Sequence, residues 1–232
     1  MKLKNLSFAC AALAFLITAG KGAASGQPDE PKTHITGGTM DIIKGGQQIV
    51  FSNGAKVTKG ENELNASKII QDKQSNTIEA FNNIDFKTYT TDKELILGYG
   101  EKARYDLDMN KGELTEGRPH LLYFLKNSTA PVSITADLIR FDKRSEMILA
   151  RGGVDIISSS GTAHSPSADF EQQHKQLILS GVPQSSVVYL KPEKSERSDF
   201  FADNITLNFD KHMIYFSGNV KGKIITARTP GK

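Results

Sequence analysis

A unit of about 33 residues recurs along most of this chain. Each copy holds an alanine, an alternating segment, a polar turn, a second apolar segment and a glycine. A unit of this kind cannot bury its own apolar face, so it must share a core with its neighbours. The chain is therefore predicted to be a stacked scaffold. The alanines that mark the copies are Ala66, Ala103, Ala136, Ala168 and Ala202.

Apolar and polar residues alternate within each copy, as in half-buried strands. Residues 49–57, 78–86, 103–107 and 205–209 show the pattern, and no long stretch carries a helical stripe. Residues that accept tight turns interrupt the alternation, among them Asn53-Gly54 and Gly152-Gly153. These pairs are interpreted as turns between short strands.

Two architectures accommodate such repeats, a parallel solenoid and a sandwich or jelly roll of antiparallel strands. Turns of hairpin length inside each copy favour antiparallel pairing. We therefore expect an all-β fold, an elongated, repeat-based antiparallel β-jelly roll of about 14–16 short strands with its core between two facing sheets.

The first residues have the order of a secretory signal peptide. Lys2 and Lys4 precede an apolar run at residues 6–19, and small residues follow. Cleavage is expected after Ala24, with Ala19 as the alternative site, and an uncleaved membrane anchor is the competing interpretation. The expected organisation is signal peptide at 1–24, flexible lead-in at 25–37, jelly roll at 38–226 and tail at 227–232.

Removing this segment changes the chemistry of the chain. The single cysteine, Cys10, leaves with it, so the mature protein is expected to have no disulfide and no thiolate metal site. Three lysines leave as well, which brings the formal net charge of +3 close to zero. A basic face for nucleic acid is therefore not predicted.

Motifs that carry catalysis are not found in the sequence. The five histidines form no HExxH motif, and neither GxSxG nor a phosphate-binding GxxxxGK[ST] loop occurs. We predict no enzyme activity, no cofactor and no metal site, and the interior between the sheets becomes the candidate functional element. The side chains predicted to line it are Ile49, Phe51, Val57, Ile84, Phe86, Tyr105, Phe124, Leu138, Phe141, Ile156, Phe170, Leu179, Tyr189, Leu207, Phe209 and Phe216.

The repeated motif resembles that of a known family. Residues 136–154 and 202–220 read Ala-Asp, then Phe-Asp-Lys, then Gly-Val or Gly-Asn-Val. Residues 103–106 and 179–183 carry parts of the same pattern. Over residues 38–225 the chain resembles the OstA-like domain of the LptA family of periplasmic lipopolysaccharide-transport proteins. The first copy, residues 66–84, lacks the aspartate and the Gly-Val ending.

The resemblance implies a periplasmic jelly roll, OstA-like, that binds the lipid A of lipopolysaccharide in its interior. It also implies head-to-tail stacking of subunits into a bridge between membranes, together with LptC-like and LptD-like components. Unpaired edge strands support stacking independently, because a heterologous edge contact builds filaments. The two edges are expected at residues 38–57 and 215–226. An inner-membrane-anchored LptC-like component and a β-solenoid polysaccharide-active enzyme remain the alternatives.

Overall fold

The computed structural model describes residues 33–89, 93–106, 108–109, 111–124, 130–142, 144–145, 147–159, 161–171, 174–191, 196–208, 211 and 213–226. The expected signal peptide and tail lie outside these residues. Sixteen strands occur in them: Thr33–Thr36 (β1), Thr39–Ile43 (β2), Gln48–Lys59 (β3), Asn62–Asp72 (β4), Thr77–Tyr89 (β5), Leu95–Asp106 (β6), Lys111–Thr115 (β7), His120–Phe124 (β8), Val132–Thr135 (β9), Leu138–Asp142 (β10), Met147–Ser158 (β11), Gly161–Glu171 (β12), Gln176–Lys191 (β13), Glu196–Asn208 (β14), Met213–Ser217 (β15) and Lys221–Thr226 (β16).

All recorded strand pairs are antiparallel, which selects the jelly roll over the parallel solenoid. The strands form one continuous sixteen-stranded sheet that is folded back on itself. Each long strand bends near its middle and contributes one half to each of two facing sheets. The A sheet contains β2, β7, β10, β15 and the halves of the long strands that pair with them. The B sheet contains β1, β8, β9, β16 and the other halves.

Residues with positive φ form one set of bends. Asn53 and Gly54 have φ of 61° and 83°, and Gly152 and Gly153 have 80° and 63°. The ladders shift register at these points, between Ser52 and Ala55 in β3 and on the same pattern in β11. The prediction that these pairs are turns between strands is wrong. They are bulges inside strands longer than expected, and a bulge turns the strand sharply without ending it.

Small residues form the alternate set of bends, where the chain returns from the B sheet to the A sheet. Ala66, Ala136 and Ala202 occupy this position, and each is at most 5% exposed. Gly100 and Ser165 take the equivalent position in the copies between them. Small side chains suit this place because the two sheets converge there. Ala103 and Ala168 lie three residues further on, inside the A sheet, so the five alanines are not all equivalent.

Consecutive bends stack on one another, which explains the Ala-Asp and Gly-Val marks. The backbone N–H of Asp203 donates to the carbonyl of Gly218 at 2.9 Å. A Cβ at Gly218 would lie 2.4 Å from Oδ2 of Asp203, and one at Gly152 would lie 2.5 Å from Oδ2 of Asp137. The glycine therefore leaves room for the aspartate of the preceding bend. The Ala-Asp motif of one bend and the Gly-Val or Gly-Asn-Val motif of the next therefore pack against each other.

The first copy forms the same kind of bend although it lacks these motifs. Asn82 and Asn83 take the bend with φ of 60° and 52°, where later copies use glycine. Asparagine tolerates the left-handed region better than other residues with a side chain. Asn83 also donates from its side-chain amide to Ser67 Oγ at 3.2 Å. The ladder resumes on the other side of this bend with a register shift, so Leu64 pairs with Phe86 and Ile69 with Ala80.

Aspartates close the hairpins at the free ends of the A sheet. Oδ1 of Asp72 accepts the backbone N–H groups of Gln74 and Ser75, each at 2.9 Å. Asp106 and Asp142 cap the next hairpins in the same way, and Asn208 accepts the N–H of Lys211 at 2.8 Å. This recurring cap was not recognised in the sequence. It satisfies turn donors within the chain and favours the turn conformation.

The two edges of the folded sheet lie where the sequence placed them, with one difference. β2 lies within the expected edge at 38–57, and β15 and β16 form the other edge. Residues 33–36, expected in the flexible lead-in, form β1 and pair with β3. Among the described residues, the structure contains no helix long and apolar enough to span a membrane.

Candidate functional site

The inward side chains form continuous rows across both sheets. The strand register aligns them from one end of the roll to the other. In the B sheet the row is Ile35, Val57, Leu64, Phe86, Gly98, Leu121, Ile134, Ile156, Ala163, Val187, Phe200 and Gly222. In the A sheet the row farther from the bends is Ile49, Gln71, Ile78, Tyr105, Gly112, Phe141, Ile148, Phe170, Leu177, Leu207 and Ile214.

Most of the residues predicted to line the interior face it. They are Ile49, Phe51, Val57, Ile84, Phe86, Tyr105, Phe141, Ile156, Phe170, Leu179, Leu207 and Phe216. Phe124 and Leu138 do not. Phe124 pairs with Leu95 and follows the inward Leu121 by three positions, so it points outward. Leu138 precedes the fully buried Ile139 and points outward as well. Phe209 and the side chain of Tyr189 lie outside the described residues.

Several inward residues were missed by the sequence interpretation. Leu64, Ile69, Leu114, Leu121, Ile139, Val154, Leu177 and Ile205 are all buried. The alternation pattern would have found them if the bends had been placed, because each bulge shifts the inward set by one position. The sequence showed which residues are apolar, but it did not show which residues of each strand face inward.

The interior is not closed along its whole depth. Inward side chains near the bends are fully buried, as with Ile139 and Leu179 at 0% exposure. Farther from the bends, Phe141, Ile148 and Phe170 face inward but remain partly exposed and pack against the core cluster, whereas Ile78, Tyr105 and Leu177 of the same row are buried. The side of the interior away from the bends is therefore open to solvent at some positions, and these form the candidate apolar groove.

Both ends of the groove are lined by apolar side chains. Met40 and Ile42 pair with the inward Phe51 and Ile49, and they are 59% and 61% exposed. At the other end, Ile214 pairs with the inward Leu207 and is 41% exposed. Ile224, two positions after the inward Gly222, is 67% exposed. The apolar lining thus continues to the two edges.

Two aromatic pairs join the facing sheets. Phe86 of the B sheet meets Phe141 of the A sheet edge-to-face, with ring centroids 6.4 Å apart. Phe200 and Phe216 form the second pair at the C-terminal end, with centroids 5.0 Å apart. The first pair lies near the middle of the roll and the second beside its edge.

The outer surface of the A sheet is charged. Glu79, Arg104, Glu113 and Arg140 stand directly opposite one another on neighbouring strands, with alternating sign. The Nε atom of Arg140 lies 3.2 Å from Oε2 of Glu113. Opposite charges across strands support pairing and keep this face in water. Because the outer face of the A sheet is charged, its apolar inner face is the candidate for binding an apolar ligand.

Charged pairs also mark the β3–β4 hairpin of the B sheet. Lys93 donates to Glu61 at 2.8 Å, and this hydrogen bond lowers the pKa of the Glu61 carboxyl. Lys56 lowers the pKa of Glu63 in the same way, at the same distance. These groups are largely exposed, so they keep the hairpin hydrated and contribute little to stability.

Two shallow depressions lie on the outside of the B sheet and share Arg118. Their volumes are about 390 and 400 Å³. Arg118 is held by Asp155 at 2.6 Å, and His164 approaches the same carboxylate at 2.7 Å. Because the polar groups satisfy one another, these depressions are weaker candidates than the interior. Within the described residues, no cluster of His, Cys, Asp or Glu is arranged to hold a metal ion.

A family model agrees with the sequence resemblance over about half of the chain. The family model described as LptA/(LptD N-terminal domain) LPS transport protein matches residues 34–147. No curated protein sequence matches the chain. Among solved structures, the chain is similar to LptH, the LptA homologous periplasmic component of the conserved lipopolysaccharide transport device from Pseudomonas aeruginosa. The identity is 13% and the TM-score 0.46, over 56% of this chain and 96% of that one. The matched residues span β1 to β10 with their bends and inward rows, so this part of the chain is similar to the LptA/OstA-like family of lipopolysaccharide-transport proteins.

Proposed function

We propose that the protein is a periplasmic carrier that binds lipopolysaccharide and holds the acyl chains of its lipid A in the interior groove. The observation that supports this most is a series of inward apolar side chains that stay partly exposed, from Ile49 near one end through Phe141 to Leu207 near the other. An apolar groove that stays partly open can admit an apolar ligand.

The chemistry of the groove matches an amphiphile with several acyl chains. Each methylene group that leaves water contributes about 0.8 kcal/mol, so one chain of ordinary length supplies substantial binding free energy. The saccharide and phosphates remain at the open side, in water. No charged side chain occurs in the inward row of the B sheet between Ile35 and Gly222, so nothing there opposes the acyl chains.

The two edges support a bridge that leads to outer-membrane assembly. Among the described strands, β15 and β16 form one edge of the sheet and β1 and β2 form the other, each with backbone groups that no described strand pairs. An edge of one subunit that pairs with the opposite edge of the next makes an open-ended assembly. The apolar ends would then join into a longer groove. LptC-like and LptD-like components are the proposed partners at the two ends of such a bridge.

Photocrosslinking tests the binding of lipid. A photoreactive phenylalanine analogue replaces Phe141, which faces inward, or Leu138, which faces outward on the same strand. Purified protein is then irradiated with lipopolysaccharide. We expect a lipid adduct from residue 141 and little from residue 138. Equal labelling at both positions, or labelling only at 138, would contradict binding in the groove.

Mass spectrometry of the mature N-terminus tests the location of the protein. A mature chain that starts at Ser25 agrees with a released periplasmic carrier. Retention of residues 6–19 in the mature chain would instead favour the anchored, LptC-like alternative. The result is independent of the crosslinking experiment, because lipid binding and anchoring are separate properties.

A further inference from the structure

Phe86 and Phe141 cross the interior near the middle of the roll. Phe86 belongs to β5 in the B sheet and Phe141 to β10 in the A sheet. Their rings meet edge-to-face, at an interplanar angle of 80°. Phe86 is only 2% exposed, whereas Phe141 is partly exposed on the open side. The pair therefore spans the groove from its buried side toward its open side.

Two glycines lie beside this pair in the inward rows. In the B sheet, Gly98 is the register partner of Phe86. In the A sheet, Gly112 is the register partner of Phe141. The Phe86 ring lies over Gly98, because a Cβ there would come within 2.1 Å of two ring atoms. Each glycine removes a wall side chain next to an aromatic ring, so the rings have space to lie across the groove.

Apolar side chains line the interior on both sides of the pair. Ile49 and Phe51 face inward toward the N-terminal end, and Phe170 and Leu207 face inward toward the C-terminal end. All four are partly exposed. The interior therefore offers partly exposed apolar side chains on each side of the aromatic crossing.

We propose that Phe86 and Phe141 form a partition that divides the groove into an N-terminal and a C-terminal acyl-chain compartment. This inference rests on the proposed function. A lipid passes from one compartment to the other when the two rings part. The contact between two rings is weak compared with the burial of one acyl chain, so an arriving chain displaces it. The partition makes lipid movement stepwise and gives each subunit two positions for lipid.

The test follows the arrival of lipid in each compartment of the full chain. A photoreactive analogue replaces Phe51 in one protein and Phe170 in another, and lipopolysaccharide labelling is followed over time. The same two proteins carry Phe141→Ala, or Phe141→Leu, which keeps an apolar side chain without the ring. Leu149→Ala, on the outer face of the neighbouring strand, is the matched control. Circular dichroism confirms folding of each variant.

In the parent proteins, we expect labelling at positions 51 and 170 with different rates. Phe141→Ala and Phe141→Leu should raise the slower rate by about 2- to 10-fold, the factor that an aromatic pair of this geometry is worth. Leu149→Ala should leave the ratio of the rates unchanged. Equal rates in the parent proteins, or a ratio that Phe141→Leu does not alter, would overturn the partition. Absence of labelling at both positions in every protein would instead reject the proposed lipid binding.

Discussion

The ring of Phe86 covers the backbone of Gly98, so a methyl group at residue 98 would lie 2.1 Å from two ring atoms. Gly98→Ala should therefore force the ring out of its place in the core. We expect a loss of about 1–3 kcal/mol in the free energy of unfolding, the usual cost of overpacking. Urea denaturation measures it.

Two variants make this prediction specific. In Gly100→Ala the new methyl group meets Leu114 at 3.7 Å, an ordinary contact, and stability should hardly change. Combining Gly98→Ala with Phe86→Ala should cost less than the sum of the two single changes, because the clash partner is gone. An additive double variant would show that the strain at residue 98 has another source.

Gly152 and Gly153 offer a matched comparison within one bend. Both have positive φ, so alanine is strained at either position. A Cβ at Gly152 would also lie 2.5 Å from Asp137, whereas one at Gly153 meets nothing within 4 Å. We expect Gly153→Ala to cost about 1–2 kcal/mol and Gly152→Ala clearly more. Thermal unfolding of the two variants compares them, and equal melting temperatures would contradict stacking of the bends.

The cap at Asp72 should make stability depend on pH in the acid range. The backbone N–H of Ser75 and the side chain of Gln48 donate to the Asp72 carboxylate and lower its pKa to about 2. The unfolded value is about 3.9. Because the folded pKa is the lower one, the carboxylate stabilises the fold above pH 3.9 or so and loses this effect as pH falls toward 2.

Asp72→Asn is the variant for this test, since Asn208 caps the last hairpin with a neutral amide. The difference in unfolding free energy between wild type and Asp72→Asn should shrink from about pH 4 to pH 2. Urea titrations at several pH values measure it. A difference that stays constant over this range would mean that the carboxylate charge at Asp72 adds nothing to the cap.

Self-association should require both edges. Ile42 at one end and Ile224 at the other are 61% and 67% exposed. A lysine at either position places a charge in the proposed apolar contact, so Ile42→Lys and Ile224→Lys should each weaken association by about 10-fold or more. Ile157→Lys, at a similarly exposed position on the outer face of the B sheet, should have no effect.

Mixing the two edge variants distinguishes head-to-tail pairing from symmetric pairing. Each variant keeps one intact edge, and the intact edges are opposite ones. Analytical ultracentrifugation should show monomers for each variant alone and a one-to-one dimer for the mixture, without longer species. Dimers of Ile224→Lys alone would indicate that two N-terminal edges pair with each other.

The repeat and its alternation were enough to predict an antiparallel β-jelly roll, because both follow from the sharing of an apolar face between units. The position of the bends was not predictable in the same way. Asn53-Gly54 has the composition of a hairpin turn, yet it lies inside β3. A residue pair with positive φ serves a turn and a bulge equally well, and only the pairing partners decide between them.

The same ambiguity limited the prediction of the interior. Residue types identified Phe86, Phe141 and Phe170 as inward, since large aromatic residues on half-buried strands usually face a core. Phe124 and Leu138 are equally apolar but follow a change of phase, and they face outward. The recurring aspartate caps were also missed, because a single aspartate before a turn is common and only their shared register shows that they are one device.

Because each long strand contributes one half to both sheets, the cross-section of the roll is set locally while its length is set by the number of copies. One copy adds two strand positions, or about 10 Å along the axis. Insertion or loss of a whole copy should therefore lengthen or shorten the molecule and leave the width of its groove unchanged. Duplication of a copy can therefore change the length of such a protein without any change to the residues that line its groove.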